Sequence, residues 1–225
     1  MKNYFTKTHL FSCPIYKIKI DPNSYDKEKI LKDIKYNKSL KNTRNEVHQT
    51  IGIPHDIHHS HKDFDNVNFR PINYEKLSAL YLKIFKEFLN KEIYTTKKLF
   101  FEFEIVNYSA VTEGQYLPSH NHMTDADFAT IHYLNFKDDH TPTYFNNPAD
   151  WAPYLHLVRP ELQNILNSSA SDNSYLLQQF RFPVKEDDMI IWPAALNHSI
   201  FPHGPIKEPR ITISSNLKIS LKEVT

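Results

Sequence analysis

Apolar residues recur along this chain with two different periods, and the change falls near residue 98. Before it the period is helical. Leu77, Leu80, Ile84 and Phe88 form a stripe with Lys76, Lys83 and Lys86 interspersed, which predicts a helix over residues 74–90. A shorter helix is predicted over 25–35, with Ile30 and Ile34 on one face. Residues 11–20 (FSCPIYKIKI) alternate near their end and predict a strand, placed at a sheet edge because Pro14 cannot donate to a ladder. Residues 37–70 are polar and histidine-rich and read as loop. After residue 98 the period is two: Phe101, Phe103 and Ile105 alternate with Glu102 and Glu104, as in a half-buried strand. Further strands are predicted over 128–136, 143–146, 180–184, 189–192 and 211–219. Residues 148–178 are too long for an ordinary β-connection and are expected to form a lid. Helices first and short strands after predict a mainly β domain whose helices buttress one antiparallel sandwich or barrel.

Composition narrows the function. A chain of 225 residues suits one domain, with an N-terminal strand and buttressing helices over 1–97 and the β core over 98–225. Net charge is +1, so no basic surplus points to nucleic acid. The single cysteine, Cys13, excludes an internal disulfide and makes a reducing, cytoplasmic setting the expectation. Residues 1–10 lack a long apolar core, so no secretory signal is expected, and no apolar run reaches the length of a membrane helix. Three glycines are too few and too scattered for a Rossmann or P-loop phosphate cradle. Thirteen histidines, in contrast, direct attention to metal.

Residues 119–127 (SHNHMTDAD) hold four potential ligands, His120, His122, Asp125 and Asp127. If the segment is extended, His120 and His122 point to the same side and can chelate one ion. A further ligand must come from a distant stretch, and His198 in IIWPAALNH is the best source. Downstream, the strand RITISSNL puts Ile211, Ile213 and Leu217 on one face and Arg210, Thr212, Ser214 and Asn216 on the other. A guanidinium among hydroxyls is suited to hold a carboxylate.

A paired-ligand motif, a distal His and an Arg about a dozen residues later resembles the 2-oxoglutarate/Fe(II)-dependent oxygenases. More narrowly the chain is similar to a bacterial and phage group of them, through LFSCPIY (10–16), GQYLPSHNH (114–122), ATIHYL (129–134), Asn147-Pro148, DMIIWPAALNH (188–198) and RITISSNL (210–217). The resemblance implies a double-stranded β-helix, a jelly-roll, cupin-like barrel. It implies Fe(II), 2-oxoglutarate as co-substrate and O2, with release of succinate and CO2 and hydroxylation of a substrate, either a small molecule or a protein side chain. His120 and His198 would be catalytic metal ligands, and Arg210, with Thr212 or Ser214, would grip the far carboxylate. A tyrosine often assists there, which makes Tyr133 the first candidate, with Tyr116 and Tyr144 behind it. The family pattern is His-x-Asp, whereas this chain has His120-Asn121-His122. The third ligand is therefore open among His122, Asp125 and Asp127.

Two other functions fit the same residues: a three-histidine cupin-type enzyme without 2-oxoglutarate, for which Arg210 would have no purpose, and a non-catalytic jelly-roll binding module. The cluster His55, His58, His59 and His61 matches no zinc spacing and is expected to border the site mouth. His132 is expected to be a satisfied wall or core histidine. Oligomeric state is not readable from the sequence.

Overall fold

The computed structural model describes residues 6–10, 13–40, 46–47, 54–55, 57–60, 67–93, 95, 99–148 and 179–221. The expected lid over 148–178 lies almost wholly outside them. Two strands open the chain, β1 (Thr6–Leu10) and β2 (Cys13–Lys19), followed by helix α1 (Lys27–Ser39). Three two-residue strands come next, β3 (Glu46–Val47), β4 (Pro54–His55) and β5 (His58–His59), and then helix α2 (Glu75–Glu92). The rest is β: β6 (Leu99–Val111), β7 (Leu117–His120), β8 (Phe128–Asn135), β9 (Tyr144–Asn146), β10 (Gln179–Arg181), β11 (Asp188–Pro193), β12 (His198–Ile200) and β13 (Arg210–Leu221).

From β6 onward the strands divide between two antiparallel sheets. The large sheet runs β1-β2-β11-β8-β13-β6-β5 and the small one β10-β9-β12-β7. The first core strand, β6, pairs with the last, β13, and the second, β7, pairs with the second-last, β12. β8 likewise pairs with β11 in the large sheet, and β9 with β10 in the small one. This nesting of outer pairs around inner pairs is the double-stranded β-helix, a jelly roll.

Each face of the large sheet has its own partner. Outward, Met189, Ile191, Ile211, Ile213 and Leu217 pack against Leu77, Tyr81, Ile84, Phe85 and Phe88 of α2 and Ile30 and Ile34 of α1. Inward, Ala129, Ile131, Tyr133, Ile190 and Trp192 meet Phe145 of the small sheet. The helical stripe and the β13 alternation therefore hold as the periods require. α2 begins after Asn73, whose side chain accepts from the Glu75 N–H (2.8 Å), and carries Glu75 in its first turn and Lys91 in its last, both favourable to the helix dipole.

Two local features depart from the simple pattern. The strand predicted over 11–20 is not an edge, because β1 folds back and covers it. Pro14 is tolerated there since the β2–β11 ladder covers only Tyr16–Lys19. In β6 the ladder to β13 steps from Asn107 to Ile105, so Val106 is an extra, unpaired residue. Such a bulge reverses side-chain parity. Phe101, Phe103 and Ile105 face the helices before it, and Tyr108 and Ala110 do so after it. Asn107 and Ser109 are thereby turned to the barrel interior, where both line the cavity.

Candidate metal centre

β7 ends in His120 and β12 starts with His198, and the two are directly opposed in the ladder. His122 lies two residues past the end of β7. Its N–H donates to Ala194 O (2.9 Å), and its own carbonyl accepts from the N–H groups of Asp125 and Ala126, closing a turn. One nitrogen from each of His120, His122 and His198 lies within 4.8 Å of the other two, spacing that admits a shared ion.

The proton positions favour metal. His120 Nδ1 is 2.9 Å from Pro118 O and His198 Nδ1 is 3.3 Å from Leu196 O. A carbonyl only accepts, so each Nδ1 carries the hydrogen and each Nε2 carries the lone pair, the arrangement that orients ligand imidazoles. Burial, together with His120 and His122, drives the His198 pKa well below its ordinary value. His122 is lowered too, by burial, with Asp125 opposing. Neutral imidazole is the ligand form. The edge of the Trp192 ring at 4.9 Å and the tilted Phe145 ring at 6.1 Å hold His198 in place. These donors fit a divalent cation.

The carboxylates of the same segment stand outside the cluster. Asp125 is exposed, and Asp127 is exposed with Oδ2 accepting from the Ile219 N–H (2.7 Å). The ligand atoms that converge are those of three histidines.

A cavity of about 220 Å3 opens on the cluster, walled by Leu117, Ile131, Trp192 and Ile200 and by the polar residues Asn107, Ser109, Thr212 and Ser214. Asn107 Oδ1 is buried without a hydrogen-bond partner among the described residues. His59 of β5 also lines the wall, with Nδ1 2.9 Å from Ser109 Oγ, so this member of the histidine cluster does border the site. His58 instead meets the Tyr108 hydroxyl at 3.1 Å. His61 lies outside the described residues.

Arg210 is fully buried at the start of β13, two residues before Thr212 of the cavity wall, and is not itself part of that lining. Its Nη2 donates to Thr143 Oγ1 (3.3 Å), while Nε and Nη1 have no acceptor among the described residues. Among the described residues no carboxylate pairs with it. Burial lowers its pKa from the ordinary arginine value, with Tyr133 opposing. The Tyr133 ring lies 5.1 Å from the guanidinium carbon, and its hydroxyl is committed to Thr143 Oγ1 at 2.7 Å. Tyr144 packs on Phe201 instead (4.6 Å), and Tyr116 is half-buried outside the cavity wall.

No protein-family profile matches the chain, and no curated protein does. Among the solved structures similar to this chain are 2OG-Fe(II) oxygenases. A prolyl-4-hydroxylase of Pseudomonas putida is 10% identical over 96% of this chain and 93% of its own, with a TM-score of 0.49. The viral collagen prolyl hydroxylase of Paramecium Bursaria Chlorella virus-1, in a 2OG complex, is 16% identical over 95% of both chains, with a TM-score of 0.44. An oxidoreductase of the 2OG-Fe(II) oxygenase family from Burkholderia pseudomallei is 9% identical over 96% of this chain and 73% of its own, with a TM-score of 0.38. The site stands on its own geometry.

Sequence reasoning missed Thr143, His140 and His203, all buried around Arg210. Their segments, HTPT and FPHGP, carry no ligand spacing that would have marked them. No described helix is long and apolar enough to cross a membrane.

Proposed function

We propose that the protein is a 2-oxoglutarate- and Fe(II)-dependent dioxygenase that hydroxylates a small molecule or a protein side chain, with release of succinate and CO2. The observation that supports it most is the pairing of a convergent His120–His122–His198 cluster with a fully buried guanidinium whose Nε and Nη1 have no acceptor. A buried donor without an acceptor costs roughly 1–3 kcal/mol, more when charged, so Arg210 is kept for an anion.

His120, His122 and His198 hold the iron. Arg210 grips the far carboxylate of 2-oxoglutarate, Thr143 and Tyr133 brace the guanidinium, and Thr212 and Ser214 offer hydroxyls along the approach. Leu117, Ile131, Trp192 and Ile200 keep water scarce around the reacting atoms. Iron so held supplies O2 activation coupled to oxidative decarboxylation of the co-substrate.

Three neutral histidines leave the metal's charge uncompensated by protein. That favours a second reading, a cupin-type enzyme that binds its substrate at the metal without 2-oxoglutarate; Arg210 speaks against it. Anaerobic Fe(II) titration with and without 2-oxoglutarate separates the two. The weak visible charge-transfer band of the chelate is expected in the parent and absent in His198→Ala. Arg210→Gln should still bind iron and need about ten- to hundredfold more 2-oxoglutarate, the loss of one charge-assisted contact. A parent that binds iron and never develops the band would end the proposal.

A further inference from the structure

We infer that His203 is a second donor to the anion held by Arg210, so that the distal carboxylate of the co-substrate is gripped by a guanidinium and an imidazole N–H together. The inference rests on the oxygenase reading for the identity of the anion and on separate observations for the unsatisfied donors that would hold it.

His203 is buried in the β12–β13 connection. Its backbone is pinned: it bridges Glu113, and its carbonyl accepts from the Gly114 N–H at 3.1 Å. Gly114 has φ of 73°, a left-handed conformation that a side chain would strain. The ring is oriented as firmly. Nδ1 accepts from the Thr141 N–H at 2.8 Å. A backbone N–H only donates, so the ring hydrogen of the neutral imidazole sits on Nε2. Burial first, then Arg210 and His140, pushes the His203 pKa down to about 4, with Asp139 opposing, so the neutral form prevails. That Nε2–H is buried and has no acceptor among the described residues.

Arg210 and His203 are tied to the same short segment. Thr141 holds His203 through its N–H and Thr143 holds Arg210 through its hydroxyl. The charge of Arg210 acts on the His203 ring, which places the two bases near each other. Three buried donor nitrogens, Arg210 Nε and Nη1 and His203 Nε2, thus lack an acceptor among the described residues, on two side chains near enough for their charges to interact. An acceptor there must be supplied by a ligand, and one bearing negative charge fits best. His140 cannot share this task, although its ring lies 5.8 Å from that of His203. Its Nδ1 accepts from the Lys137 N–H (3.1 Å) and its Nε2 donates to Glu208 O (2.9 Å), which uses both nitrogens.

Calorimetry tests this with two probes: glutarate on the metal-free protein, and 2-oxoglutarate on the Fe(II)-loaded protein without oxygen. His203→Leu should weaken both about tenfold, the value of one hydrogen bond to a charged group. His203→Gln, which keeps an N–H near the Nε2 position, should recover most of the loss. Parent-like glutarate affinity in His203→Leu, or a parent that takes up no glutarate, would overturn the role of His203 even if the chelate band forms. Loss in His203→Leu without any chelate band would keep the anion pocket and remove the oxygenase.

Discussion

His132 shows how strongly single side chains here depend on protonation. It sits in β8 beneath α2 with no exposed surface, its Nδ1 2.8 Å from the Tyr81 hydroxyl. Burial, reinforced by Lys27 and Lys19, lowers its pKa to about 3. An unfolded chain restores the ordinary imidazole value near 6.5, so the unfolded state takes up the proton first. The sign follows: the neutral ring's contribution is complete above pH 6.5 and is lost as pH falls from there toward the folded value. Between pH 7 and pH 5 this one residue should remove about 2 kcal/mol of unfolding free energy. Urea unfolding at the two pH values checks it. His132→Gln keeps a polar partner for Tyr81 but cannot titrate, and its stability should fall less steeply over that interval. A variant as steep as the parent would show that His132 is not the group responsible. Its place in the core was legible from the alternation around Ile131 and Tyr133, but it is only half satisfied: Nδ1 meets Tyr81, a helical residue 51 positions away that the pattern did not reveal, and Nε2 is buried without a partner among the described residues.

Among elements, β13 carries the site on one face and the core on the other. Ile211, Ile213 and Leu217 press on α2, while Thr212 and Ser214 face the cavity. The two jobs are separable. Phe85 of α2 is fully buried on the helix side, away from the cavity wall. Phe85→Ala should cost about 3–5 kcal/mol in urea unfolding. Below its transition, iron stoichiometry and 2-oxoglutarate affinity should stay within twofold of the parent; a large loss of either would mean that α2 shapes the metal site. That division was readable from sequence wherever a period ran unbroken, as in α2 and β13. It was lost where pairing, not pattern, decides. β7 is LPSH, with a proline and no alternation, and becomes a strand only by pairing with β12. The parity change at Val106 is set by the register of β13 and leaves no mark in FEFEIVNYSAV. The candidate site followed the same rule. Arg210 stands at the start of a strand that the pattern located, His120 and His198 stand at the ends of short strands that pairing makes, and His203 occupies a loop whose position only the closed barrel defines.

For the molecule as a whole, the metal and the co-substrate should stabilise different things. The histidines belong to neighbouring strands of the small sheet and the turn beside them, so iron alone ties that sheet to its own turn. Arg210 belongs to the large sheet. A co-substrate chelated at the histidines and gripped by Arg210 therefore spans both sheets and closes the barrel across its interior. Binding to the folded state alone stabilises by about 2.7 kcal/mol at a hundredfold excess over Kd. For a chain of this length that is a rise in Tm of about 5–10 °C. Anaerobic melting should thus give two increments, one with Fe(II) and a second when 2-oxoglutarate follows. Arg210→Gln should keep the first and lose most of the second, and His198→Ala should lose the first along with the metal-dependent part of the second. If 2-oxoglutarate raises Tm equally in the parent and in Arg210→Gln, the ligand does not bridge the sheets. The buried guanidinium would then need another anion.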